Sequence, residues 1–486
     1  MPMIPLAEWA PDQPALGPYA QVASGVVPEE AGYRPLKSLS TTTNALTARC
    51  QGAAWFRASD GSTANFAGDA TKLYKLSSTT WSDVSRVSGG TYAAPTDGNW
   101  RFGQFGTLAI AVNGVDSPQK FDLTTGTNWA ALGGSPPIGT YITTVRGFVV
   151  MANIGSTRQR VQWSGIGDAE AWGSSATTQA DYDDLEDGGE IAGLTGGEFG
   201  LIFQESAIRR MSYEGVPTVF RIDKIADQVG ATIPNSVVGW GDISFFCHRS
   251  GFFMVQGGQQ LVPIGKDKVD RWFWSNYDGN YLNRVSAGID PVNKLYVISF
   301  AATGAGGTPN TLLMYHWISG RWSYASVTTE MIYSALTQTG YTLEQLDAFG
   351  TIDTLPYSLD SLVWQGAKTF ILGGFYTDHT FGTFSGANLA AQIDTGDTQP
   401  FPGRRATIRS ARPIVDGGSP TIAVGTRQTQ QASVSWGTAT SATTDGLVPL
   451  RSNGRYIRYR LAVPAASTWT WAQGIDDVDA RPTGMR

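Results

Sequence analysis

Three histidines, His248, His316 and His379, are the whole imidazole supply of the chain, and Cys50 and Cys247 are its whole thiol supply. Zinc chemistry needs close ligand spacing, as in His-Glu-x-x-His or paired Cys-x-x-Cys, and neither pattern occurs. Cys247 and His248 are adjacent in a run that reads as a strand, so their side chains point to opposite faces and cannot pair as thiolate and imidazole. Cys247 is expected in the core, because free cysteine is among the most buried residue types. No Gly-x-Ser-x-Gly elbow, Walker loop or strand-linked Gly-x-Gly-x-x-Gly is present, which leaves acyl transfer and nucleotide chemistry without a foothold. The densest titratable set is acidic, with six carboxylates between Asp181 and Glu190. A calcium loop wants alternating oxygen ligands, and Leu185 interrupts that alternation at the third ligand position. Three readings stay open for the loop: a solvated or inter-subunit patch, a cation site, or catalytic carboxylates. Glycoside hydrolysis would need two carboxylates about 5–9 Å apart. The many Trp and Tyr residues suit sugar stacking, but the Ser-x-Asp-x-Gly-x-Thr-Trp boxes of sialidase-type propellers are missing. Most of those aromatics fall in or beside expected strands, where core packing is the ordinary role. No catalytic residue, metal ligand or cofactor site is assigned, and the chain is not expected to be an enzyme.

The elements that would position any site are short strands. Apolar, β-branched or aromatic runs punctuated by glycine recur at Ala53–Arg57, Thr107–Asn113, Gly147–Asn153, Gly200–Gln204, Ile243–His248 and Lys294–Phe300, with starts 54, 40, 53, 43 and 51 residues apart. Most are followed within about 10–15 residues by a second run, such as Gln119–Leu123 or Ala207–Tyr213, which is the strand, turn, strand signal of a hairpin. A recurrence of this length matches one four-stranded propeller blade, where about 40–50 residues is typical. A long jelly roll or an irregular β-solenoid would share the texture. Helical periodicity is scarce; Lys266–Asn276, with Val269, Trp272 and Phe273 on one face, is the best short helix. The opening segment to Leu36 is Pro-rich and aperiodic, and reads as an extended arm that needs a neighbour, in this chain or another, to order it.

Charge divides the chain. From Phe401 onward there are 11 Arg and 5 Asp and no other charged side chain, a net of +6, which leaves −12 on the first 400 residues out of the overall −6. Such a break marks a separate C-terminal unit. There the pattern turns to clean strands at Ala406–Ser410, Thr421–Gly425, Ala432–Trp436, Arg455–Val463 and Trp469–Gly474. Ile457, Tyr459, Leu461 and Val463 share one face of their strand, and Tyr456, Arg458 and Arg460 the other. The expectation is an all-β protein: an arm over 1–36, a β-propeller-like body over 37–400, and a β-sandwich-like domain over 401–486. An apolar share of 41% excludes a disordered chain. No run of about 20 apolar residues is available to span a membrane, the start has no basic n-region followed by an apolar h-region, and two cysteines cannot form a disulfide framework. The expected setting of synthesis is a reducing cytosol. The C-terminal arginines Arg451, Arg455, Arg458 and Arg460, together with Asp181, Asp183, Asp184, Glu186 and Asp187, are the candidate contacts to other subunits or partners.

In order and texture the chain resembles the hub or nozzle proteins of short-tailed bacteriophages, including the packaged-DNA stabilisation family. The residues that carry the resemblance begin at Gly32-Tyr-Arg-Pro-Leu-Lys, which lacks the closing Pro-Gly of that family's turn. They continue through Asp168-Ala-Glu-Ala-Trp172, Glu190-Ile-Ala-Gly-Leu194, Phe199-Gly-Leu-Ile-Phe203 and Ser206-Ala-Ile-Arg-Arg-Met211. Val229-Gly-Ala, Ile243-Ser-Phe-Phe246, Gly251-Phe-Phe-Met-Val255, Pro263-Ile-Gly265, Ala287-Gly-Ile-Asp290 and Tyr296-Val-Ile-Ser-Phe300 come after these in the same order. The resemblance implies a propeller-like body with a β-rich C-terminal domain, assembled as a homo-oligomeric ring, expected to be a hexamer, in the virion tail. Such a ring prolongs the portal channel, retains packaged double-stranded DNA without reading its sequence, and sits between portal or adaptor proteins above and fibre, spike or needle proteins below. Two other classes compete: a propeller-type glycosidase and a lectin-like receptor-binding tail protein, both acting on host surface polysaccharide. If Arg458 and Arg460 face a partner, their reversal to Glu should impair assembly and spare the folded monomer.

Overall fold

The computed structural model describes residues 3–61, 63–336, 350–355 and 370–484. The recurrent hairpins become seven blades of four antiparallel strands among the described residues. Their inner strands are Gly52–Arg57, Arg101–Phe105, Gly139–Val145, Ile191–Thr195, Ile233–Trp240, Ser286–Asp290 and Met331–Leu336. Consecutive inner strands are neighbours, and the seventh packs against the first, so the propeller closes on itself. Apolar layers lie between the blades: Phe66, Phe121 and Trp129 between the first and second, Phe148, Ile202 and Phe220 between the third and fourth, Phe203, Phe246 and Val255 between the fourth and fifth. A strand covered on both faces has no reason to alternate, and Leu295–Phe300 is buried at every position.

The seventh blade is the one that the recurrence did not name. Its three sequential strands, Met331–Leu336, Phe370–Phe375 and Thr380–Thr383, are completed by Ser40–Ala45 from near the other end of the chain, with Thr383 opposite Ser40 and Thr380 opposite Ala45. Trp81 of the first blade packs on Phe375 and Phe381 of the seventh, which seals the junction. Closing the circle with a strand from the far end removes the free sheet edges that an open array would present.

The C-terminal residues form two packed sheets, and both contain N-terminal strands. In one sheet the order is Val26–Glu29, Gly32–Pro35, Trp469–Thr483, Arg405–Gly417 and Val448–Gly454, with Ile4–Pro5 also paired to Trp469–Thr483. The other continues the sixth blade: beyond Arg321–Ser326 come Val22–Ser24, Ala391–Asp394, Tyr456–Val463, Thr421–Arg427 and Ser435–Trp436, ten strands in one sheet counting Thr440–Ser441. Val22–Ser24 is the splice, parallel to the blade at Ser24–Tyr324 and antiparallel to Ala391–Asp394. The segment read as an extended arm is thus ordered by its own chain, and sandwich strands begin before residue 401. Trp9 is wholly buried against Trp272 and Tyr324, with ring centroids 4.9 Å from each.

Along Tyr456–Val463 the burial alternates as the sequence implied, with Ile457, Tyr459, Leu461 and Val463 buried. The expected helix spans Asp270–Asn276, with Val269 and Phe273 buried. Its first turn is capped from the N-terminal segment: the Asp12 carboxylate accepts the Arg271 N–H at 2.7 Å and the Trp272 N–H at 2.9 Å. Asp270 accepts the Phe252 N–H at 3.0 Å, and Gly251, at φ +128°, leaves its carboxylate the space that a Cβ would occupy. Gly251→Ala should therefore cost about 1–3 kcal/mol through backbone strain and displacement of that carboxylate. A thermal melt checks this, and a midpoint equal to that of the parent would refute it.

Candidate functional site at the propeller axis

All seven inner strands contribute to one cavity of about 290 Å³ on the axis. Its charged lining is Arg49, Arg101, Arg284 and Glu330. Arg49 precedes the first blade and donates to the Cys50 and Thr96 carbonyls at 3.2 and 2.9 Å. Arg101 opens the second inner strand, donates to Asn235 Oδ1 at 2.6 Å and lies 4.3 Å over the Tyr141 ring. Arg284 ends the 3₁₀ turn Gly279–Arg284 before the sixth blade. Burial, reinforced by the neighbouring Arg284 charge, lowers the Arg49 pKa below its ordinary value.

The same wall brings together a thiol, a carboxylate and an imidazole that lie far apart in sequence. Glu330 Oε1 sits 2.7 Å from His379 Nδ1, and its Oε2 accepts the Cys50 N–H at 3.2 Å. Burial pushes the Glu330 carboxyl above the usual range, opposed by the nearby His379. The Cys50 thiol is turned elsewhere, towards the Gly52 carbonyl at 3.5 Å and Met331 Sδ at 3.7 Å, and burial raises its pKa to about 12. A thiol held protonated and bonded away from the imidazole is a poor nucleophile. The set works as a clamp between the first and seventh blades, joined through the Cys50 backbone. No sequence signal pointed to it, since its members are joined only by closure of the propeller. The other two histidines make local turns, with Nδ1 2.7 Å from Ser250 Oγ in His248 and 2.8 Å from Ser319 Oγ in His316. Cys247 is fully buried, as expected from its residue type.

The acidic run lies at the rim of the propeller, far along the sheet from the axis. Asp181–Asp184 is the outermost strand of the third blade, and Leu185 beside it is buried. Asp184 is held by Nε and Nη2 of Arg160, each at 2.7 Å, and those hydrogen bonds keep its carboxyl below the usual range. Asp187 pairs with Arg209 and Lys224 of the fourth blade, and Glu190 with Arg158 at 3.1 Å. Asp181 accepts a hydrogen bond from Ser174 at 2.9 Å. Asp183 and Glu186 are exposed and form no ion pair among the described residues. The run therefore divides: part ties blades together and part faces solvent. No group of three or more His, Cys, Asp or Glu side chains is arranged to hold a metal among the described residues.

The C-terminal arginines divide likewise. Arg451 and Arg455 are exposed. Arg458 and Arg460, expected to stand free on an outer face, are instead covered by the segment that continues from Ala391–Asp394. Arg458 Nε bonds Asp397 at 2.9 Å, and Asp397, only 1% exposed, also pairs with Arg427. Arg460 grips Asp394 with two bonds of 2.8 Å and lies 3.9 Å over Trp436. Strand alternation separates two faces, but it does not show which charges neighbouring strands and loops place there; Asp394 is the cross-strand neighbour of Arg460.

The class that strand pairing defines is a seven-bladed β-propeller joined to a β-sandwich. No protein-family model matches the chain, and no curated protein matches its sequence. Similar solved structures include the mitotic checkpoint complex (11% identity, TM-score 0.39, 74% of this chain and 95% of that one). BamB from Moraxella catarrhalis (10%, 0.38, 74% and 93%) and the computationally designed Ika8 protein (9%, 0.36, 71% and 99%) are others. At these values the likeness concerns general architecture alone.

Proposed function

We propose that the protein is a structural component of a short-tailed bacteriophage virion: a tail hub or nozzle subunit that multiplies into a ring, extends the portal channel and carries distal tail parts. The observation that carries the reading is the ten-strand sheet running from the sixth blade into the sandwich, joined through Val22–Ser24 at the Ser24–Tyr324 pair. A sheet shared by two modules resists hinging between them, which suits a part that transmits load. The order of motifs from Gly32 to Phe300 supports the same reading. An axial cavity of about 290 Å³ is far too small for duplex DNA, so in this reading the DNA lumen lies between subunits. Cyclic assembly needs two different patches on each subunit. Exposed Asp183 and Glu186 on the acidic body and exposed Arg451 and Arg455 on the basic sandwich are a complementary pair for that contact. Negative-stain imaging of the protein purified from infected cells tests the proposal. The expected result is closed rings with a central channel wide enough for a duplex. Lone subunits with measurable turnover of a host surface polysaccharide would replace it with the glycosidase reading.

A further inference from the structure

Independently of that assembly, we infer that the axial cavity is a binding site for a phosphate-class oxyanion held by Arg49, Arg101 and Arg284. Three guanidiniums and one carboxylate line the cavity, an excess of two positive charges in a body whose first 400 residues sum to −12. The single carboxylate, Glu330, is already bonded to His379 and the Cys50 N–H. Among the described residues, no carboxylate lies within ion-pair distance of any of the three arginines, although nineteen pairs of Lys or Arg with a carboxylate are formed among them elsewhere. Arg49 and Arg101 are oriented by neutral oxygens alone, those of Cys50, Thr96 and Asn235. Like charges held half-buried without a counter-ion are unfavourable, and a concave, low-dielectric wall concentrates their field on whatever anion enters.

The chemistry narrows the ligand. Arginine presents planar forks that fit phosphate and carboxylate oxygens with paired bonds. A doubly charged tetrahedral anion would balance the excess of two, and a volume of about 290 Å³ suits a small ligand. Asn99 and Asn235 line the same space and offer further N–H groups. A wider cavity of about 760 Å³ adjoins the axial one, with Tyr141 and Pro234 lining both. Burial and the neighbouring Arg284 charge lower the Arg49 pKa against the opposing pull of Glu330 and Asp97, so positive charge prevails at this wall.

Titration calorimetry of the full chain with inorganic phosphate at constant ionic strength tests the site. One saturable site per chain is expected, with no corresponding heat from sodium chloride. Arg284→Gln should weaken phosphate at least about tenfold, the factor expected for losing one charge-assisted hydrogen bond. Arg101→Lys, which keeps the charge and removes the fork, is the second variant and should also weaken binding while the melting midpoint stays near that of the parent. Phosphate heats equal to the chloride control, or both folded variants binding as the parent does, would overturn the assignment. A 5′-phosphorylated trinucleotide and its unphosphorylated form distinguish sources of the same chemistry. Tighter binding of the phosphorylated form than of inorganic phosphate identifies a nucleic-acid end, and the reverse order identifies the free anion.

Discussion

Asp397→Ala should lower the stability of the folded chain by about 3–5 kcal/mol, the range found when one member of a buried ion pair is removed. Asp397 is 1% exposed and holds two guanidiniums whose side chains are only 11% and 13% exposed, those of Arg427 and Arg458. Without the carboxylate both cations lose their hydrogen-bonded counter-ion in a poorly solvated place, and the nearby Asp394 is already engaged by Arg460. The burial of Arg458 lowers its own pKa, as desolvation of a cation must. The backbone N–H of Asp397, which the substitution leaves in place, donates to the Ala15 carbonyl at 2.6 Å, so the loss reports the carboxylate alone. Urea denaturation checks the prediction; a midpoint shift worth less than about 1 kcal/mol, the usual size for exposed pairs, would show that solvent reaches the cluster. The same geometry changes what the Arg458→Glu, Arg460→Glu reversal reports. Placing carboxylates beside the buried Asp394 and Asp397 sets like charges together on that face, so the double variant reads out folding before assembly.

Removal of residues 1–36 should leave the C-terminal sandwich without a cooperative transition. Those residues supply the strands Ile4–Pro5, Val26–Glu29 and Gly32–Pro35 to one sheet and the splice Val22–Ser24 to the other. They also bury Trp9 between Trp272 and Tyr324, cap the helix through Asp12, and occupy Arg321, which donates to the carbonyls of Leu6, Glu29 and Gly32 at 2.8, 2.9 and 3.3 Å. Trp9→Ala alone should cost about 3–5 kcal/mol, the range for a large aromatic deleted from a packed core. Limited proteolysis of the truncated chain is expected to digest the region from Ala391 onward while the parent resists. Addition of a peptide spanning residues 1–36 should restore protection. A truncated chain as resistant as the parent would mean that the segment merely coats a finished sandwich.

Much of the architecture was legible because it is local. The hairpins of the first six blades could be read from glycine-punctuated apolar runs, and Gly200–Gln204 and Ile243–His248 have the bounds expected of them. The alternation along Tyr456–Val463 and the burial of Cys247 were legible for the same reason: neighbours two residues apart share a face, and residue type biases burial. The first blade shows the limit, since Ala53–Arg57 belongs to an inner strand whereas the later runs, such as Gly200–Gln204, are second strands. Recurrence marks the period and leaves the phase within each blade open.

What depended on the tertiary structure joins residues hundreds of positions apart. Ser40–Ala45 completes a blade with Thr380–Thr383, Val22–Ser24 lies between Arg321–Ser326 and Ala391–Asp394, and Glu330 meets Cys50 across the seam of the propeller. The same holds for Arg49, Arg101 and Arg284 around the axis and for Asp394 and Asp397 over the C-terminal arginines. The amino-acid order by itself determined an all-β chain of repeated hairpins with an acidic body and a basic end, because turn chemistry, strand period and charge are properties of short stretches. Which strands close the circle, and which charges meet, was decided only on folding, because a free edge or an unpaired charge is satisfied by whatever partner global burial brings to it.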